Sequence, residues 1–326
     1  MEVSQMWYLK LRMYILMAVL FAIVYAVVSM VSFHLGITNF YFYLILSFVI
    51  MLVQYMLGPK IVEWSMGVHY IKEGEYPELH QAVRSLAGLA RIPAPRIGIS
   101  DLAIPNAFAF GRSIRDGRIC VTRGIMGLLG KEELRAVLGH EMSHIKNRDV
   151  LTITILSVIP MILYRIAWQF LFFGNRRDRN QGSSAMLVGL AAFLFYFVTN
   201  LLVLYASRIR EYFADKGSVD LGNNPALLAS ALYKLVYGSA RMPKEELKNA
   251  EGMKAFFIND PSRALNELKD LRELDLDRSG TISPQELDTL RNKNIKLNFG
   301  DKLLELFSTH PNMLKRIKRL SDWRYA

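Results

Sequence analysis

The sequence predicts a mainly α-helical chain with a small antiparallel β-sheet and four long apolar helices in a membrane. Three observations carry that expectation. Apolar runs at residues 11–33, 40–57, 150–173 and 185–206 are about as long as a hydrocarbon core is thick. Short apolar segments at 96–100, 107–111 and 118–122 are separated by turn signals such as Asp116-Gly117. Leu79, Val83, Leu86 and Leu89 recur at helical spacing. Composition agrees, because 52% hydrophobic residues and a mean hydropathy of +0.19 are high for a soluble protein.

The first run follows Lys10 and Arg12, and it is too long for a cleaved signal peptide. The link at 34–39 holds no Lys or Arg, and Lys60 follows the second run. The positive-inside rule therefore places the N-terminus and residue 60 in the cytoplasm, with residues 1–58 as two N-terminal transmembrane helices. Across 59–149, charges, Gly and Pro return, as in a soluble domain. Leu79, Val83, Leu86 and Leu89 mark a helix over 76–91, stopped by Pro93-Ala94-Pro95. The three short segments then read as strands. A further helix starts at Lys131, with Glu132 and Glu133 in its first turn.

Residues 150–206 read as a hydrophobic hairpin, interrupted by Pro160 and Arg165 and joined by a basic loop at 174–180. Two crossings would put Arg176, Arg177 and Arg179 outside, against the positive-inside rule. A hairpin that never crosses would pack on the protein or dip into the bilayer, and Arg165 in mid-span is costly unless paired or snorkelling. Two crossings are the expectation. Residues 207–326 complete the soluble domain, which faces the cytoplasm of a multi-pass membrane protein.

The net charge of +11 suits an anionic lipid surface. No nucleic-acid module is found, so the lipid bilayer is the expected partner. The single cysteine, Cys120, excludes an internal disulfide and reads as a small buried hydrophobe.

His140-Glu141-Met142-Ser143-His144 is the chemical centre of the sequence. Residues four apart share one helix face, so both imidazoles can reach a single metal ion with Glu141 beside a bound water. A catalytic zinc takes three protein ligands and keeps one position open. The other four histidines, His34, His69, His80 and His310, form no H-x-x-G-x-x-H extension, which leaves a glutamate as the natural third ligand. Glu211, with Asp215 four residues on, is the best candidate, because Glu211 can bind metal while Asp215 hydrogen-bonds a ligating histidine. The plain alternative is a surface ion pair with Arg208 or Lys216.

These motifs, with Arg210-Glu211-x-x-Ala214-Asp215, resemble the M48 membrane zinc metallopeptidases, and within them the HtpX heat-shock proteases. Pro105-Asn106-Ala107-Phe108-Ala109-Phe110-Gly111 and Ser308-Thr309-His310-Pro311 with Arg316-Ile317 resemble two further family segments. The resemblance runs from about residue 11 to 320. It implies a zincin-like (gluzincin) catalytic domain holding one zinc, with Glu141 as general base and His310 assisting at the oxyanion. It also implies quality control of misfolded membrane proteins as substrates. The related prenyl-protein peptidases have more spans and fit less well. Asn106, Ala107, Phe108 and Ala109 are either an edge strand that takes substrate as an added strand or an internal strand of the sheet. His310 has a second reading as a residue opening the last helix.

Residues 275–286 fit a twelve-residue calcium loop, with Asp275, Asp277, Ser279, Thr281 and Glu286 as ligands and Gly280 at the sharp turn. The same residues read equally as a capping box, Ser283-Pro284-Gln285-Glu286, that needs no ion. Lys315, Arg316, Lys318, Arg319 and Arg324 form a basic patch, either for lipid head groups or as the solvated face of a terminal helix.

Two rivals are weighed. An intramembrane protease would bury its metal motif among apolar residues, whereas Arg135, Lys146, Arg148 and Asp149 surround this one. A non-catalytic, calcium-responsive membrane protein with a vestigial zinc fold conflicts with an intact Glu141 and three intact ligand candidates.

Overall fold

The computed structural model describes residues 40–173, 182–243, 258, 264–291 and 299–323. The first apolar run, the basic loop and Arg324 lie outside the described residues, as does the side chain of Arg165. The chain divides into two compact units, Met1–Leu57 with Leu151–Ile209, and Gly58–Val150 with Arg210–Ala326.

Helix α1 (Phe40–Ser65) carries the second apolar run and continues through Pro59. Strand β1 (Val68–Tyr70) follows, a short element that the sequence pattern did not reveal. Helix α2 (Pro77–Ala90) begins with Pro at its first position, where no N–H is needed. It buries Leu79, Val83, Leu86, Ala87 and Ala90 along one stripe, while Leu89 faces out. Strands β2 (Arg96–Ser100), β3 (Ala107–Phe110) and β4 (Arg118–Thr122) complete the sheet.

The sheet is mixed, which corrects the expectation of an antiparallel one. Its order is β1-β2-β4-β3. β3 and β4 form an antiparallel hairpin, with Ala107 opposite Val121 and Phe110 opposite Arg118. β4 also lies parallel to β2, Ile97 opposite Ile119 and Ile99 opposite Val121, while β1 is antiparallel to β2. The reason is topological. The chain reverses once into β3 and again into β4, so β4 runs in the direction of β2 when it inserts beside it. Every residue of β4 is buried, as a central strand requires. The hairpin turn depends on Gly111, whose φ is +144° and where a Cβ would stand 2.2 Å from the Asp116 carbonyl oxygen. Cys120 lies on β4 at 0% exposure, packed with Phe108 and Phe110, and burial pushes its thiol up to about 12.

Helices α3 (Arg123–Leu128), α4 (Lys131–Lys146), α5 (Asp149–Phe173) and α6 (Gly182–Asp220) come next. Among the described residues one helix is long and apolar enough to cross a membrane. It runs from Met186 to Asp220 in α6, with a hydropathy of 2.3. In the first unit its Met186, Leu187, Phe193 and Leu194 are exposed, an apolar surface facing outward. The expectation of four membrane helices thus narrows to one on the described residues.

Helix α7 (Pro225–Ala240) is capped by Asn224, which accepts from the Ala226 N–H at 2.9 Å. It lies in the core of the second unit, where its Leu228, Leu232 and Leu235 join α2, α4 and the sheet. Helices α8 (Ala264–Leu271), α9 (Pro284–Leu290), α10 (Phe299–Leu306) and α11 (Met313–Ser321) close the described chain. The last begins at Met313 with Asn312 as its cap, so His310 and Pro311 precede the helix instead of opening it.

Candidate metal centre

Helix α4 is fixed at its start by Glu133. The carboxylate accepts from the Gly130 N–H at 2.9 Å, from Ser230 Oγ at 2.6 Å and from Lys234 Nζ at 2.8 Å, which ties α4 to α7. The end of α6 crosses α4 closely because both helices have glycine at the contact. A Cβ on Gly217 would stand 2.0 Å from Ser143 Oγ, and one on Gly139 would stand 2.3 Å from Asn223 Nδ2. Ser218 Oγ seals the crossing by donating to the Ala136 carbonyl at 2.6 Å.

This crossing brings His140, His144 and Glu211 together, as a group that can hold a metal ion. The two Nε2 atoms are 3.1 Å apart. Glu211 Oε2 lies 3.6 Å from His140 Nε2, and Glu211 Oε1 lies 3.5 Å from His144 Nε2. Each imidazole faces a carboxylate on its other side, His140 Nδ1 with Asp215 Oδ1 at 2.9 Å and His144 Nδ1 with Asp149 Oδ2 at 2.6 Å. An ionised carboxylate only accepts, so each Nδ1 carries a proton, and the neutral imidazole that a metal takes then presents its Nε2 lone pair. In that form two lone pairs and a carboxylate converge. Glu211 Oε2 is also buried without a hydrogen-bond partner. Arg316 Nη1 stands 3.0 Å from that oxygen as an ion pair but lacks hydrogen-bond alignment. Such a donor set calls for a cation, and two imidazoles with one carboxylate suit zinc.

Glu141 is 3% exposed beside this group. Burial raises its carboxyl to about 8, against the pull of His144, and the nearby Glu211 adds to the rise. The Ala109 amide of β3 favours its ionised form. Burial lowers the pKa of His140, although Asp215 opposes the shift. His310 is also buried, with Nδ1 3.3 Å from Glu211 Oε2 and neither ring nitrogen hydrogen-bonded.

Arg316 overturns its reading as part of a basic surface patch. It is 0% exposed and forks onto Asp215, Nε to Oδ2 at 2.9 Å and Nη2 to Oδ1 at 2.6 Å. Burial opposes its charge, but Asp215 and Glu211 outweigh that and hold the guanidinium above its ordinary value. Its Nη1 donates to the Ile258 carbonyl at 3.0 Å, and the Ile258 N–H donates to Asn106 Oδ1 at 3.0 Å. Asn106 is fully buried, and its side chain anchors Ile258. Ala107 and Phe108 are buried as well, and Ala109 is partly exposed on β3, an edge of the sheet among the described residues.

Asp149 and Arg210 also belong to this neighbourhood, and the sequence reading gave neither a role there. Arg210 Nη2 donates to Asp149 Oδ1. The signals were an acidic residue shortly after the second histidine and Arg210 beside Glu211 in the family motif.

Asp275, Asp277 and Glu286 form a second group that can hold a metal ion. Its carboxylates already have donors. Asp275 accepts from the Ser279 N–H at 2.8 Å, the Gly280 N–H at 2.9 Å and Tyr233 Oη at 3.1 Å. Asp277 Oδ1 accepts from the Ser279 N–H at 2.9 Å, and Ser279 Oγ pairs with Thr281 Oγ1 at 2.9 Å. Glu286 accepts from the Leu276 N–H at 2.7 Å and closes a capping box with Ser283. The capping reading accounts for the loop, and the calcium reading gains no support from it.

Comparison with known proteins completes the description. Residues 73–324 match the profile of peptidase family M48. A protease HtpX homolog of Methanothermobacter thermautotrophicus is 51% identical over 230 residues, spanning 71% of this chain and 86% of that protein. A second, from Moorella thermoacetica, is 38% identical over 272 residues, spanning 82% and 79%. The crystal structure of S. mikatae Ste24p has a similar fold, with a TM-score of 0.50 over 98% of this chain and 67% of that one at 14% identity.

Proposed function

The chain belongs to peptidase family M48 as an HtpX-like protease, and from that premise we propose that it is a membrane-bound, zinc-dependent endopeptidase. The observation that carries the reading is the convergence of His140 Nε2, His144 Nε2 and the Glu211 carboxylate, with a carboxylate behind each imidazole at Nδ1. These three residues would hold the metal. A bound zinc supplies Lewis acidity, polarising a scissile carbonyl and acidifying a water.

The chain's own residues do the rest. Glu141 is the general base, taking the water's proton and delivering it to the leaving amine. His310, whose Nδ1 lies 3.3 Å from Glu211 Oε2, would donate a ring N–H to the oxyanion of the tetrahedral state. Asp215 keeps the proton of His140 on Nδ1. The outer edge of β3, through the backbone of Ala107, Phe108 and Ala109, offers a ladder for an extended peptide.

The substrates are misfolded or damaged membrane proteins, cleaved on the cytoplasmic side of a multi-pass protein. Support for the membrane placement comes from the apolar α6 helix and from the arrangement of Lys10, Arg12 and Lys60 around a link without Lys or Arg, while the substrate class rests on the family resemblance. The test is hydrolysis of casein, or self-cleavage, by purified protein. Glu141→Gln should lower the rate by about 10²–10⁴-fold while zinc stays bound. Equal activity in both forms would sink the peptidase reading.

A further inference from the structure

The second histidine of the centre is braced as thoroughly as the first, by residues from two other places in the sequence. Both oxygens of Asp149 are engaged, Oδ2 by His144 Nδ1 at 2.6 Å and Oδ1 by Arg210 Nη2. The same Arg210 Nη2 donates to the Asn147 carbonyl at 3.0 Å. Asp149 is 6% exposed, so this is an enclosed pair and not a surface contact.

The chain bends to make it. Arg148 adopts a left-handed backbone, φ 56°, which costs a non-glycine residue about 1 kcal/mol. That turn ends α4 and lets Asp149, the first residue of α5, face back toward the last turn of α4. An acidic residue opening a helix needs no further partner than the helix N-terminus, yet here its carboxylate is divided between an imidazole and a guanidinium. Arg210 adjoins Glu211, so the helical turn that delivers the third donor also fixes the partner of the second. The arrangement repeats the one at the other histidine, where Arg316 holds Asp215 and Asp215 holds His140.

We propose that Asp149 and Arg210 are positioning residues of the metal centre. Arg210 fixes Asp149, and Asp149 fixes His144 in the tautomer and orientation that aim Nε2 at the metal. The inference rests on the zinc reading above, and its test separates the two. Full-length protein in detergent is stripped, reloaded with zinc, and titrated by chelator competition. Cobalt(II) loading then reports ligand geometry in the visible spectrum. The unaltered protein should bind one zinc, and a failure there would refute the zinc reading itself.

Asp149→Asn and Arg210→Gln should each weaken zinc by about 10–100-fold and shift the cobalt bands. The double variant should lose little more than Asp149→Asn alone, because the two act in series. Arg210→Lys, which keeps the charge but not the planar guanidinium, should fall between the unaltered protein and Arg210→Gln. It also serves if Asp149→Asn does not fold. A purely structural pair would lower the melting temperature of the metal-free variants and leave zinc affinity within about threefold and the cobalt spectrum unchanged, which overturns the proposal.

Discussion

At the scale of single residues, the centre is a balance of largely buried charges. Without metal, Glu141 sits among them at a pKa of about 8, against an ordinary 4.5. Between those values the folded protein keeps a proton on this group that the unfolded chain has released. The contribution of Glu141 to stability is therefore fully present below 4.5 and is lost as pH rises through about 8. Chemical denaturation of metal-free protein across that range should show the decline, and Glu141→Gln should remove that part of it. Arg316 is the complementary case. Its guanidinium faces Asp215 and Glu211 at 0% exposure, so Arg316→Met leaves two buried carboxylates without their cation. The expected loss is about 3–5 kcal/mol in a denaturant melt, and Arg316→Lys should rescue little, since an ammonium cannot make the fork.

At the scale of elements, the decisive contact is the crossing of α4 with the end of α6. Gly139 and Gly217 let the backbones approach until Ser143 Oγ fills the space a Cβ would take. Gly217→Val should push the helices apart, separating Glu211 from the histidines, and metal analysis should find zinc lost along with stability. Helix α9 is secured differently. Ser283 and Glu286 close a capping box there without any ion. Ser283→Ala should therefore cost about 1 kcal/mol, equally with calcium and with chelator present. A cost that appears only with calcium would favour the loop as an ion site.

At the scale of the whole molecule, the proposed zinc would occupy a site that exists only when distant segments have met. Mass action then makes zinc a stabiliser, worth about 2.7 kcal/mol at a hundredfold excess over its dissociation constant. Chelation should lower the melting temperature, and added zinc should restore it. The sequence by itself determined His140, Glu141 and His144 as a metal motif, and Glu211 and Asp215 as the pair to complete it. Spacing of four on a helix is a local property, read directly from residue order. It also foretold α2, α4, the three longer strands and the apolar character of α1, α5 and α6. Only the tertiary structure decided that β4 runs parallel to β2, because strand order depends on where a returning hairpin inserts. It also took Arg316 from the basic patch onto Asp215, and brought Asp149 and Arg210 to His144. Burial and pairing join residues far apart in the chain, and an isolated charge in a sequence looks the same whether it will meet water or a buried carboxylate.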